Sequence, residues 1–212
     1  MLYDKDIREP LFDFLEERYG KVRIIEEKQV GRSRADVVMV RPSSLTGVEI
    51  KSDADTYARL ARQVKDYDRY FDYNYVVAGS SHGCHIKEHV PKWWGIITVE
   101  QAEDGLDFYM LREAEKNLNK VPRAKLGLLW RPELAHIQEI NQMPKYKEKS
   151  KAFVIDKILL KVPEAQVDEQ VSQELFERDY TKIAETIKEY KQMQRKRSFS
   201  KAKVLRRKKE RK

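Results

Sequence analysis

Three ionisable residues stand in runs that are otherwise apolar. Asp36 lies in Ala35-Asp36-Val37-Val38-Met39-Val40, and Glu49 and Lys51 lie in Gly47-Val48-Glu49-Ile50-Lys51. Both runs read as β-strands because β-branched and apolar residues dominate them. Strand alternation puts Glu49 and Lys51 on one face of the second strand and Val48 and Ile50 on the other. Burying an unpaired charge is expensive, and a valine would fit such a strand at lower cost. Two carboxylates about 4 Å apart repel by roughly 4 kcal/mol at an effective dielectric of about 20. A divalent cation turns that repulsion into ligation. Mg2+ (or Mn2+) suits the pattern, since it takes oxygen ligands, few from protein and the rest from water and phosphate. Asp36 and Glu49 would offer side-chain oxygens, and the backbone carbonyl of Ile50 a further one. Such a metal lowers the pKa of a bound water and stabilises charge on phosphoryl oxygens. Lys51 would then position that water or neutralise the developing charge. The plainer alternative is an Asp–Lys–Glu ion-pair cluster at strand ends.

The elements around these residues must place them together. Asp4 to Tyr19 reads as a helix with Ile7, Leu11, Phe14 and Leu15 on one face, interrupted or started by Pro10 and stopped by Gly20. Strands are expected over Val22–Val30, Ala35–Val40 and Thr46–Lys51, with Gly31-Arg32-Ser33-Arg34 and Pro42-Ser43-Ser44 as turns. Asp53 or Asp55 is placed to cap a helix running to about Phe71. Its apolar stripe is Tyr57, Leu60, Ala61, Val64, Tyr67 and Phe71. Tyr75–Ala78 and Trp93–Val99 read as further strands. The order α-β-β-β-α-β-β predicts a mixed sheet flanked by helices, an α/β fold. Segments near 111–119, 126–141, 150–161 and 167–193 have helical spacing. The expected organisation is therefore a core over 1–105, a helical region over 106–190, packed on the core or a separate small domain, and a tail over 191–212.

Asp36, twelve intervening residues, then Glu49-Ile50-Lys51 resembles the signature of the PD-(D/E)XK phosphodiesterase superfamily, with Ala35 where that signature has proline. The element order resembles the αβββαβ, restriction-endonuclease-like core of the same superfamily. Gln63-Val64-Lys65-Asp66-Tyr67 is similar to the Gln-x-x-x-Tyr motif of its RecB-like branch. The resemblance implies a metal-dependent nuclease leaving a 5′-phosphate and a 3′-hydroxyl, with Gln63 and Tyr67 orienting water, metal or DNA. Residues four apart are neighbours on a helix surface. Tyr67 also belongs to the apolar stripe, so it reads equally as a core residue whose hydroxyl emerges at one edge. Superfamily members often carry an acidic metal contact on the first helix. Glu9, Glu16 and Glu17 are the candidates here, and Glu9 is favoured. Arg32, Arg34, Arg59 and Arg62 flank the expected site and would contact phosphate.

The 212-residue chain carries 43 Lys/Arg and 35 Asp/Glu, a net +8. The excess is local. Residues 191–212 hold 12 Lys/Arg and one Glu, leaving the rest at −3. Such a block reads as a disordered interaction arm, with Arg195, Lys196, Arg197, Arg206 and Arg207 releasing counterions from nucleic acid. No run of 18 apolar residues occurs and the N-terminus has no apolar signal region, which predicts a cytoplasmic chain without a membrane partner. A single cysteine, Cys84, excludes an internal disulfide framework and a multi-cysteine zinc site. His82-Gly83-Cys84-His85 has no second cluster to complete a tetrahedral site, and Trp93-Trp94 reads as a core plug before a base-stacking platform. No phosphate-cradling glycine loop is present, so ATP dependence is not expected.

Two functions follow. One is a Mg2+-dependent nuclease acting on nucleic acid, DNA before RNA, in a DNA-repair, restriction or phage-encoded setting. Homodimerisation would let one site per chain cut both strands. The other is a non-catalytic nucleic-acid-binding module that keeps the nuclease fold. The Asp36–Glu49–Lys51 set favours the first, because a binder has no need for two carboxylates where phosphate must approach.

Overall fold

The computed structural model describes residues 1–83 and 85–179. The elements belong to the first of two units into which the chain divides, Met1–Phe176 and Glu177–Lys212. Helix α1 (Asp4–Tyr19) runs unbroken through Pro10, so the proline is not its start. Strands β1 (Arg23–Val30), β2 (Ser33–Arg41) and β3 (Ser44–Lys51) follow, then α2 (Leu60–Asp68), β4 (Tyr73–Gly79), the short α3 (Ser80–Gly83), β5 (Gly95–Ala102) and β6 (Gly105–Arg112). Four further helices complete the unit: α4 (Pro122–Gly127), α5 (Arg131–Ile140), α6 (Lys151–Lys161) and α7 (Glu164–Phe176).

The fold is mixed α/β. The six strands lie in the order β1-β2-β3-β4-β5-β6. β3 runs parallel to β4 and β4 to β5, while the β1–β2, β2–β3 and β5–β6 pairs are antiparallel. The parallel pairs follow from α2 and α3, which carry the chain across the sheet between strands.

Period-two alternation sorts the apolar residues into two cores. Val37, Met39, Val48, Ile50, Val77 and Val99 meet Ile7, Leu11 and Leu15 of α1. Val38, Val40, Leu45, Val76 and Ala78 meet Leu60, Tyr67 and Phe71 on the other side, where Leu126, Leu134, Val154, Ile158 and Val171 of the later helices join them. The helical half thus packs on the α2 face of the sheet. Gly47 allows α2 to come close: a Cβ there would lie 2.3 Å from Phe71 Cδ2 and 2.8 Å from Tyr67 Cδ1.

The structure departs from the sequence reading in four places. Residues 105–112 form β6, where helical spacing was expected to begin near 111; Leu106, Phe108 and Met110 pack inward while Asp107, Tyr109 and Leu111 face out. This is the two-residue period of a half-buried edge strand. The expected helix over 126–141 is two helices, because Pro132 restarts the chain in the first turn of α5. The capping role expected of Asp53 or Asp55 is not observed. Asp53 accepts from the Leu2 N–H and Asp55 from the Ser52 N–H and hydroxyl, while a short 3-10 turn, Tyr57–Arg59, leads into α2. The helix expected over 167–193 is α7, ending at Phe176, and the remainder from residue 180 lies outside the described residues.

Candidate active site

Strand β3 ends in Glu49-Ile50-Lys51, and Asp36 stands beside it on β2. Asp36 Oδ2 accepts the Ile50 N–H at 2.9 Å, so the side chain continues the β2–β3 ladder where backbone pairing stops at Val37–Val48. Glu49 and Lys51 face α2, as alternation requires, and both are almost fully buried, at 1% and 2% exposure. Lys51 Nζ lies 2.7 Å from Glu49 Oε1 and donates to Gln63 Oε1 at 3.2 Å. The Gln63 amide also donates to Glu49 Oε1, and the Tyr67 hydroxyl donates to Glu49 Oε2 at 2.6 Å. Gln63 and Tyr67 are one turn apart on α2, so one helix face supplies both donors.

These groups open onto a cavity of about 500 Å3. It is lined by Asp36, Glu49, Ile50, Lys51 and Gln63, and by Arg32, Arg34, Arg59 and Arg62. Among the described residues, the structure therefore gathers the sequence-derived site residues at one place, with two exceptions. Tyr67 does not line the cavity. It lies fully buried behind Glu49, its ring 5.4 Å from Phe71 and 5.5 Å from Trp94. Glu9 is a correction: it is exposed and absent from the cavity. The first-helix carboxylate at the site is Asp4, which shares its helix face with Arg8. Glu9, one residue beyond Arg8, is rotated by about 100° along the helix. Arg195, Lys196, Arg197, Arg206 and Arg207 lie outside the described residues, as does Cys84.

Arg8 is the residue that the sequence reading missed. Its guanidinium bonds Asp4 Oδ2 at 2.7 Å, Glu27 Oε1 at 2.6 Å and the Asp36 carbonyl at 3.2 Å, and lies 3.8 Å from Asp36 Oδ1. Arg34 pairs with Glu27 on the same rim. The signal available was the i, i+4 spacing of Asp4 and Arg8 on the helix that also held the acidic candidates.

Burial and the neighbouring Glu49 carboxylate push the Asp36 carboxyl up to about 7, against the Ile50 N–H and the Arg8 guanidinium that favour its charged form. Burial, with Glu49 and Asp36 close by, pushes the Tyr67 phenol well above its usual range and keeps it a donor. Asp36 has its side chain 20% exposed on the cavity, while Glu49 is 1% exposed and accepts hydrogen bonds at both oxygens, so a Mg2+ or Mn2+ ion here would reach Asp36 more readily than Glu49 and would keep most of its own waters. Among the described residues no group of three or more His, Cys, Asp or Glu side chains could hold a metal ion, so any ion here would lean on Asp36, Glu49 and backbone oxygen.

The family model described as Bacteriophage P4 protein cII matches residues 1–206. The chain belongs to the bacteriophage P4 protein cII family. No curated protein sequence matches this cII-family chain. A solved structure, that of Pyrococcus furiosus SfsA in complex with Ca2+, aligns at 16% identity and a TM-score of 0.35. The alignment covers 53% of the cII-family chain and 65% of SfsA, so it spans less than two thirds of that protein.

Trp94 and His82, noted in the sequence, take part in packing, whereas His85 is exposed and lies 3.8 Å from Glu88. Trp94 is buried, its indole N–H donating to Asp68 Oδ1 at 2.8 Å, and is the core plug expected. His82 Nδ1 lies 2.9 Å from the Tyr57 hydroxyl, and His89 stacks on the Tyr57 ring at 3.9 Å. Among the described residues no helix is long and apolar enough to cross a membrane.

Proposed function

We propose that this cII-family chain is a metal-dependent nuclease that hydrolyses phosphodiester bonds of DNA on a restriction-endonuclease-like αβββαβ core. The observation that carries the reading is the convergence of Asp36, Glu49, Ile50 and Lys51 with Gln63 on one cavity lined by five arginines, Arg8 among them. The paired carboxylates and the Ile50 carbonyl would hold Mg2+ or Mn2+. When bound, the ion would supply an activated water and charge neutralisation at the scissile phosphate. Lys51 balances Glu49 and holds one of its oxygens, so the carboxylate cannot swing away from the cavity. Gln63 and Tyr67 fix the orientation of the same carboxylate. Arg32, Arg34, Arg59 and Arg62 would seat the phosphates on either side of the cut. Cutting both strands of a duplex would take two copies of the chain, one site each.

A second reading has its own support. Both Glu49 oxygens already accept hydrogen bonds from protein donors, and the carboxylate is nearly sealed. That arrangement suits a nucleic-acid-binding module in which the ionic cluster is structural. The deciding experiment is cleavage by purified protein with Mg2+ or Mn2+ on linear duplex, closed-circular, branched and single-stranded DNA and on RNA, beside folded Glu49→Ala and Lys51→Ala. Metal-dependent cutting by the wild type that both variants lose supports the nuclease. Binding without cutting on any substrate supports the module.

A further inference from the structure

A second cavity of about 500 Å3 adjoins the candidate active site. Gln29 lines both, and the β1–β2 turn lies between them, with Arg32 on the first and Gly31 on the second. The turn is tied down from α2. Asp66 Oδ2 accepts the Arg32 N–H at 3.2 Å and the Ser33 hydroxyl at 2.7 Å, and the Gly31 N–H donates to the Tyr70 hydroxyl at 3.1 Å. Gly31 is left-handed, with φ 59°, and a Cβ there would lie 2.4 Å from Asp66 Oδ1. The ridge between the cavities is therefore narrow and bare of side chain at Gly31.

The two cavities differ in chemistry. The first mixes arginines with the carboxylates of Asp4, Glu27, Asp36, Glu49 and Asp55. The second is lined by Lys28, Arg69, Arg123 and Lys151 together with Tyr70 and Trp130, and no described residue lining it is acidic. Lys151 Nζ donates to the Gly127 carbonyl at 2.7 Å and Arg123 pairs with Asp156, so these cations are anchored along the rim. Cationic groups beside aromatic rings match a polyanion whose bases are unstacked: phosphates meet the cations and bases lie on the rings. A duplex keeps its bases stacked on each other and has none to offer.

We infer that the second cavity holds a single-stranded DNA segment that crosses the β1–β2 turn from the candidate active site, stacking on Tyr70 and Trp130 with its phosphates against Lys28, Arg69, Arg123 and Lys151. The inference rests on the nuclease reading for the choice of DNA, and it assigns that enzyme a single-stranded or frayed substrate.

The test is fluorescence anisotropy of the full chain in EDTA with a labelled 15-nucleotide DNA strand, the same sequence as RNA, and the duplex. The basic tail is present in every variant and cancels between wild type and variant on the same nucleic acid. Trp130→Ala and the pair Arg69→Ala/Arg123→Ala are each expected to weaken single-strand binding about tenfold, with Trp130→Phe restoring most of the loss. Lys161→Ala, an exposed cation outside both cavities, is expected to bind as the wild type does. A strand carrying 4-thiothymidine is expected to cross-link to peptides containing Tyr70 or Trp130, which reads the site even if Trp130→Ala fails to fold. Wild-type affinity in both the Trp130→Ala and the paired arginine variants overturns the inference. So does a loss in these variants that is as large on duplex or RNA as on single-stranded DNA, or cross-links confined to the tail. Failure of the nuclease reading looks different: no substrate is cut with Mg2+, yet the cross-link and the Trp130 effect stand. If instead Trp130→Ala cuts and binds single strands as the wild type does, the cavity assignment falls and the nuclease survives.

Discussion

The Tyr67 hydroxyl donates to Glu49 Oε2 at 2.6 Å while its oxygen accepts the backbone N–H of Asp36 at 3.2 Å. One buried phenol therefore ties the carboxylate of β3 to the strand that carries the other carboxylate. Tyr67 acts on the site from behind, as a positioning residue whose ring is core and whose oxygen is not.

Tyr67→Phe keeps the ring packing and removes this link. The Asp36 N–H and a Glu49 oxygen lose a partner in a buried place, which costs about 1–3 kcal/mol. Urea unfolding is expected to show that loss. Mg2+ affinity, read by the metal-dependent rise in melting temperature, is expected to fall with it. An unchanged midpoint with unchanged metal response would remove the positioning role.

Asp36 gives the site a pH dependence. Its ordinary pKa is near 3.8 and its folded value about 7. Between these values the unfolded chain has released the proton and the folded chain still holds it, so ionising Asp36 works against folding as pH rises through that window. The metal-free protein is expected to lose stability from about pH 4 to pH 7, and Asp36→Asn to flatten that slope. A Mg2+ ion held by Asp36, as proposed, would have to displace the same proton, so its affinity is expected to rise with pH and level off above about 7. Thermal melts across pH, with and without Mg2+, check both; metal affinity that is flat in pH contradicts the assignment.

Lys51→Met tests whether a cation can replace an ammonium. The change leaves Glu49 buried without its counter-charge, and breaking such a pair costs about 3–5 kcal/mol. A divalent ion at the site would restore part of that. Saturating Mg2+ is therefore expected to raise the melting temperature of Lys51→Met by more than that of the wild type. Cleavage is expected to drop at least a hundredfold. Equal metal responses in the two proteins would argue for the binding module.

The opposite end of the sheet supplies a stability prediction apart from the site. Lys125 of α4 is fully buried, 2.7 Å from Asp72 Oδ2 and 3.2 Å from Asp168 Oδ1, and Lys120 lies 2.9 Å from Asp72 Oδ1. Burial pushes the Asp72 carboxyl up, yet Lys125, the Leu45 N–H and Lys120 together hold it below its ordinary value. Its stabilisation is thus present above the unfolded pKa near 4 and lost as pH falls below that toward the folded value. Lys125→Met leaves Asp72 with Lys120 and the Leu45 N–H and is expected to cost about 1–3 kcal/mol, and Lys125→Met with Lys120→Met about 3–5 kcal/mol, because both cations that pair with Asp72 are then gone. Denaturant melts of the two variants at neutral pH decide this; equal losses would mean that Lys120 does not support Asp72 once Lys125 is gone.

The legible part of the fold was the part written in local pattern. The β-branched runs gave the strands β2 and β3, and the apolar spacing of Ile7, Leu11 and Leu15 gave α1. Residues 111–119 have helical spacing, yet Leu111 and Arg112 end β6 and the residues after them form no helix, because the alternation that starts at Gly105 carries through to Arg112. Pairing with β5 settles the matter, and that partner is remote from any local window.

For the site, the chain alone determined that Asp36, Glu49 and Lys51 were anomalous and that Glu49 and Lys51 share a face, since charge in an apolar strand and a period of two need no tertiary information. It also placed Gln63 and Tyr67 one turn apart. What only the tertiary structure decided was which helix residues reach the strand ends: Arg8 and Asp4 where Glu9 was expected, Tyr67 behind Glu49 and not in the cavity, and a basic, aromatic recess assembled from residues 28 to 151. Those choices depend on how far α1 slides along the sheet and where the later helices dock, and packing across the two cores sets both.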